Sequence, residues 1–316
     1  MCGLPIEARV NAGGTFLVKV FIATSVERES TVASLLSAVG LSGYSGRSVA
    51  VKANFNSGDP FPASTSLDTL RTLVTDLRGA GARDVMIGER SGMGKTRTVL
   101  EGLGVVRLGE EMSFGVKVLD ELPADGWEKI DRHGTHWLNG FHIARMFIDA
   151  ERVVQTCCLK THRFGGHFTM SLKNSVGLVA ARVPGHVYEY MAELHTSPYQ
   201  RKMIAEINAH YRCDLVLIDG TSAFIGGGPE KGELAQPGIM LASTDRVAID
   251  VAGVAVLRSS GATGQVSKGK VFEQEQIARA AELAVGVSSS GEVEIVPIDD
   301  AARLWAEKIA ATIRAG

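Results

Sequence analysis

Short Val- and Ile-rich runs alternate with longer stretches of helical periodicity along most of the chain, and few folds accommodate that pattern. The runs predict strands over 16–22, 48–53, 84–88, 115–119, 152–159, 214–218, 238–242 and 293–296. The intervening segments predict helices over 31–39, 67–79, 96–103, 140–148, 199–211, 246–257, 274–283 and 301–314. Leu67, Leu70, Leu73, Val74 and Leu77 form the clearest helical stripe. Strands that are apolar on both faces belong in a sheet covered on both sides. The expected fold class is therefore α/β, with a mostly parallel, doubly wound sheet. The 316 residues fit one domain over 1–316, or two lobes with a pocket between them and a boundary near 150 or near 200.

Composition narrows the function classes. A net charge of −2 argues against a general nucleic-acid binder but leaves room for a local basic pocket. Cys2, Cys157, Cys158 and Cys213 include no CxxC, so neither a zinc ribbon nor an iron–sulfur cluster is expected. The adjacent Cys157 and Cys158 read as two reduced strand residues rather than a vicinal disulfide. No apolar run of membrane-spanning length occurs, and the opening residues lack a basic segment followed by an apolar one. The expectation is a cytoplasmic protein with no membrane partner, with an oligomer left open.

The strongest chemical signal lies between Lys160 and Gly177. An apolar strand ends in Lys160 and His162, Gly165 and Gly166 turn the chain, and a helix is expected to start near His167 and carry Lys173. Ligands of α/β sheets collect outside the carboxyl ends of parallel strands, and helix starts offer free N–H groups to anions. Lys173 near a helix start is electrostatically unfavourable by roughly 0.3–1 kcal/mol, which an anion would offset. His162, His167, His186 and His195 are half of the chain's eight histidines, and neutral imidazole can move protons or hold a metal.

Other predicted strand ends add candidates. Asp219 could ligate a divalent cation, bind a hydroxyl, pair with Lys160 or Lys173, or simply close its strand as an Asx-turn. Gly226, Gly227 and Gly228 permit close backbone approach to a ligand, or a flexible turn. Ser243, Thr244 or Asp245 reads as a helix N-cap, and Asp250 interrupts an apolar helix and needs a partner. Lys52 and Asn54 share a strand face. The stretch from Gly88 to Thr96 departs from the P-loop pattern, since Glu89 stands where glycine is required, but Ser91 and Gly92 suit a looser anion-binding turn.

At these residues the chain resembles the family known as domain of unknown function 362. The resemblance rests on Val51–Phe55, Leu159-Lys160-Thr161-His162, Thr169–Gly177, His186, Ile218-Asp219-Gly220, Gly228-Pro229 with Gly232, and Ala242–Asp250, in family order across about 48–257. It implies an α/β fold with a pocket and supplies no agreed activity. Many members also carry a ferredoxin-type domain with two four-cysteine motifs, which this chain lacks.

The combined expectation is an enzyme acting on a small anionic carboxylate or phosphate. Lys160, His162 and Lys173 are its catalytic candidates. Lys52, Asn54, Ser91, Thr169, Asn174, His186, Asp219, Gly228 and Asp245 are its ligand-binding candidates. A divalent metal, if used, would draw on His162, His186, Asp219 or Asp250. The alternative is a non-catalytic ligand- or cofactor-binding module serving a redox partner.

Overall fold

The computed structural model describes residues 9–10 and 16–315, so Cys2 lies outside the described residues. The strands are β1 (Arg9–Val10), β2 (Phe16–Thr24), β3 (Ser48–Lys52), β4 (Asp84–Glu89), β5 (Gly115–Val118), β6 (Trp127–Ile130) and β7 (Phe141–Ala144). They continue as β8 (Arg152–His162), β9 (His167–Thr169), β10 (Leu215–Gly227), β11 (Gly232–Ala235), β12 (Ile239–Ser243) and β13 (Val293–Pro297).

The main sheet runs β1-β2-β12-β10-β8-β3-β4-β5, with β13 on β2, β9 on β8 and β11 on β10. The block β10-β8-β3-β4-β5 is parallel throughout. β12 runs antiparallel between β10 and β2. Strands from either side of residues 150 and 200 pair within this one sheet.

Side chains of β10 show how the sheet is covered. Leu215 and Leu217 pack into one apolar layer with Leu70, Leu73, Val74 and Leu77 of the helix Leu67–Gly79. Val216 and Ile218 pack into the opposite layer, against the nearly all-buried helix Arg246–Ser259. The period of two sends alternate residues to opposite faces, so a strand with helices on both sides must be apolar throughout. Each such side chain contributes roughly 1.5–3 kcal/mol on burial. Ser66 and Asp245 begin the two helices by accepting backbone N–H groups through their side chains.

Several expected elements change at their boundaries. The expected helix over 140–148 is instead β7, paired with β6, followed by the short helix Arg145–Asp149. β10 runs on to Gly227, so Asp219 sits mid-strand rather than at a strand end. The helix expected at His167 is the strand β9, and helix geometry begins only at Ser171–Asn174. Cys157 and Cys158 are both free and buried. No helix among the described residues is long and apolar enough to cross a membrane.

Candidate functional site

β3, β4 and β8 run parallel and end at Lys52, Glu89 and His162. Beyond these ends lies a cavity of about 530 Å³ lined by Lys52, Asn54, Ser91, Lys160, His162, Thr169, Lys173 and Asn174, among others. Eight of the expected site residues thus face one space. Glu89, Arg90, Asn56, Asp120 and His195 also line it and were not predicted there.

The charges fall into two groups. Lys52 and Glu89 form a buried ion pair, Nζ to Oε1 2.5 Å, with both side chains no more than 2% exposed. Glu89 also accepts N–H groups from Phe55 and Arg90, and Lys52 donates to Ala53 O and to Asn174 Oδ1. Burial pushes the Glu89 carboxyl up and the Lys52 ammonium down, each against the pull of the other. This pair ties β3 to β4 and leaves Lys52 little capacity for a guest. Gly177 accommodates it: a Cβ there would stand 2.6 Å from Lys52 Cε and 3.1 Å from Glu89 Oε1.

The second group has no carboxylate partner among the described residues. Lys160 is fully buried and donates to Ala63 O at 2.5 Å. Burial lowers its affinity for a proton. Lys173 is only partly covered because it faces the cavity, yet the protein around it, with Lys160 and Arg90, pushes its ammonium down to about 8. Arg90 is held by the carbonyls of Val179 (2.7 Å) and Val176 (2.9 Å). Burial first, then Lys173 and Lys160, hold His162 far below the usual imidazole range, so its ring is neutral at physiological pH. His195 anchors Nδ1 to Met191 O at 2.6 Å and lines the same wall.

Three buried polar atoms in this lining lack a hydrogen-bond partner: Asn54 Oδ1, His162 Nδ1 and Thr169 Oγ1. A buried polar atom without a partner costs about 1–3 kcal/mol. Three around one cavity, beside lysines with no carboxylate partner, leave hydrogen-bonding capacity that the chain itself does not use.

The remaining candidates lie elsewhere, each for an identifiable reason. Asp219 accepts from Arg28 Nε (2.7 Å), Thr69 Oγ1 (3.0 Å), and the Thr221 amide (3.0 Å) and hydroxyl (2.7 Å), which completes its shell away from the cavity. Asp245 follows the antiparallel β12, which places it away from the cavity, and it caps the helix Arg246–Ser259 and accepts from Val287 N. Asp250 supplies the acceptor that the helix Ser171–Asn174 needs, accepting from Ser171 N (2.8 Å) and Leu172 N (3.0 Å). The amides expected to meet a ligand are therefore already occupied, and burial raises this carboxyl to about 7. His186 is exposed and lies edge-on to His142.

Gly228 contributes through the backbone. With φ +64°, its Cα faces Thr161 so closely that a Cβ would lie 2.0 Å from Thr161 O, a position open only to glycine. It seats Pro229, rather than itself, in the cavity wall. The metal candidates His162, His186, Asp219 and Asp250 do not meet, and among the described residues no three His, Cys, Asp or Glu side chains converge as a metal site.

Arg90 was missed because an arginine after a strand carries no motif, and Asp120 because its loop has no periodicity. Glu89 was visible only as a departure from the P-loop pattern, although a carboxylate ending an apolar strand beside Lys52 was a usable signal.

No curated protein matches the chain. Among solved structures, the lactate racemase apoprotein from Thermoanaerobacterium thermosaccharolyticum aligns with a TM-score of 0.45 at 12% identity, over 92% of this chain and 85% of that one. A crystal structure of a protein from Thermotoga maritima aligns with a TM-score of 0.36 at 13% identity, over 60% of this chain and 49% of that one. The model of the domain of unknown function DUF362 matches residues 49–255, the segment that supplies every cavity residue named above, and the chain belongs to that family.

Proposed function

We propose that the protein is an enzyme acting on a small molecule that carries a carboxylate or a phosphate. One observation carries this reading: Lys160 and Lys173 stand without carboxylate partners in a cavity that also holds the orphaned Asn54 Oδ1, His162 Nδ1 and Thr169 Oγ1. Burying unpaired cations is costly, and a guest anion offsets that cost. Lys160 and Lys173 attract the anion, and the neutral His162 offers it a hydrogen-bonding ring nitrogen. Asn54 and Thr169 orient the polar groups next to the anion.

Ligand identification by mass spectrometry on the purified protein, followed by thermal unfolding with the identified class, tests the reading. A ligand at a hundredfold excess over Kd stabilises the fold by about 2.7 kcal/mol. A carboxylate or phosphate that stabilises the fold and is converted on incubation supports the proposal. A neutral or cationic ligand, or an anion released unchanged under all conditions, contradicts it.

A further inference from the structure

The two unpaired lysines are not equivalent. Lys160 is fully buried, donates to the Ala63 carbonyl and is positioned as a fixed cation. The Lys173 ammonium makes no hydrogen bond or ion pair among the described residues and reaches into the cavity from the short helix Ser171–Asn174. Gly166 brings it beside His162: a Cβ at 166 would stand 2.6 Å from Lys173 Cε and 3.1 Å from His162 Nδ1, so both groups crowd one point of backbone. That Nδ1 is one of the orphaned atoms, and its residue is 8% exposed.

We propose that Lys173 is a nucleophile and that the ligand carries an aldehyde or ketone next to its anionic group, as an oxo acid does. This deepens the reading above and rests on it, since the anion at Lys160 is what brings the carbonyl to Lys173. The Lys173 nitrogen lone pair forms a C–N bond while the carbonyl π pair moves to oxygen. That oxygen takes one proton from the amine and a second from solvent, and leaves as water. The product is a protonated imine, with no change of oxidation state.

The surroundings favour the reactive form of the amine. Burial first, then Lys160 and Arg90, push the ammonium down to about 8, so about half of Lys173 is neutral near that pH. A neutral amine beside a neutral imidazole, in the cavity that also holds Lys160, suits imine formation. The same amine would be a poor choice if the only task were to hold a charge.

The test uses the full-length protein with pyruvate as probe and borohydride to reduce any imine, at pH 8. The expected result is one adduct, with the mass of pyruvic acid less one oxygen, mapping to the peptide that contains Lys173. It should form at least about tenfold faster than adducts at exposed lysines, which are almost fully protonated at that pH. It should disappear in Lys173→Arg. Calorimetry of pyruvate and of inorganic phosphate without borohydride separates the two ideas. Binding without an adduct at Lys173 overturns the nucleophile and leaves the anion site standing. An absence of binding by either probe overturns both. Because the adduct is mapped on the unmodified chain, the result does not depend on a variant that folds.

Discussion

β8 and β10 are hydrogen-bonded neighbours, Asp219 standing opposite Cys158 and Phe224 opposite Lys160, and both strands bury charge. Around Asp219 every acceptor position is filled from within the chain, by Arg28, Thr69 and Thr221, and Arg28 also lies over the Phe61 ring. Around Lys160 one carbonyl answers the ammonium, no carboxylate pairs with it, and Lys173 and a neutral imidazole share its cavity. The first cluster is closed and acts as a structural clamp between β10 and the helices Arg28–Val39 and Leu67–Gly79. The second is left open by the chain, and the proposed guest would complete it. Buried charge alone does not mark a site; buried charge that the chain leaves unanswered does.

The largest expected effect tests the closed cluster. Asp219→Ala strands Arg28, Thr69 and Thr221, and should destabilise by about 3 kcal/mol or more in denaturant unfolding. It should leave anion affinity unchanged. A stable variant with weakened binding would reverse the roles of the two clusters.

Asp250→Ala should cost about 2–3 kcal/mol, because it leaves the Ser171 and Leu172 amides buried and unpaired. Unlike Asp219→Ala, it should also weaken anion binding, since those amides set the turn that presents Lys173. Chemical denaturation and calorimetry on the same sample distinguish the two variants.

Lys173→Met should move stability the other way. In the folded protein Lys173 titrates near 8, below its ordinary 10.5. The folded state therefore holds fewer protons across that window, stability rises with pH through it, and the full cost stands below about pH 8. Removing the amine should stabilise the unliganded protein by about 1–2 kcal/mol at pH 7. That gain should shrink above pH 8 and vanish near 10.5. A loss of stability at pH 7 would mean that Lys173 is held by contacts rather than opposed by them.

The fold was readable where one rule acted alone. The stripe from Leu70 to Leu77 and the two-faced apolar run Leu215–Ile218 left no competing structure, and both lie where periodicity places them. Periodicity could not give strand direction, so Asp245 was expected at the cavity end although β12 runs the opposite way. Nor could it separate strand from helix over 140–148, where Phe141 and Ile143 are buried by pairing with β6. The candidate site was legible in its basic residues, because Lys160, His162 and Lys173 interrupt apolar or glycine-rich sequence. Asp219 was legible in part: the Asx-turn reading holds in the bond from the Thr221 amide, two residues on. Its other partner Arg28, and the Ser171 amide that meets Asp250, lie far away in sequence and carry no local signal.

Whether the cavity's lysines await a small anion can be read from isothermal titration of inorganic phosphate into the wild type, Lys160→Met and Asp219→Ala. One site is expected in the wild type, affinity at least about tenfold weaker in Lys160→Met with stability held within about 1 kcal/mol, and wild-type affinity in Asp219→Ala. Equal affinity in the wild type and Lys160→Met, or affinity lost only in Asp219→Ala, would rule the anion site out.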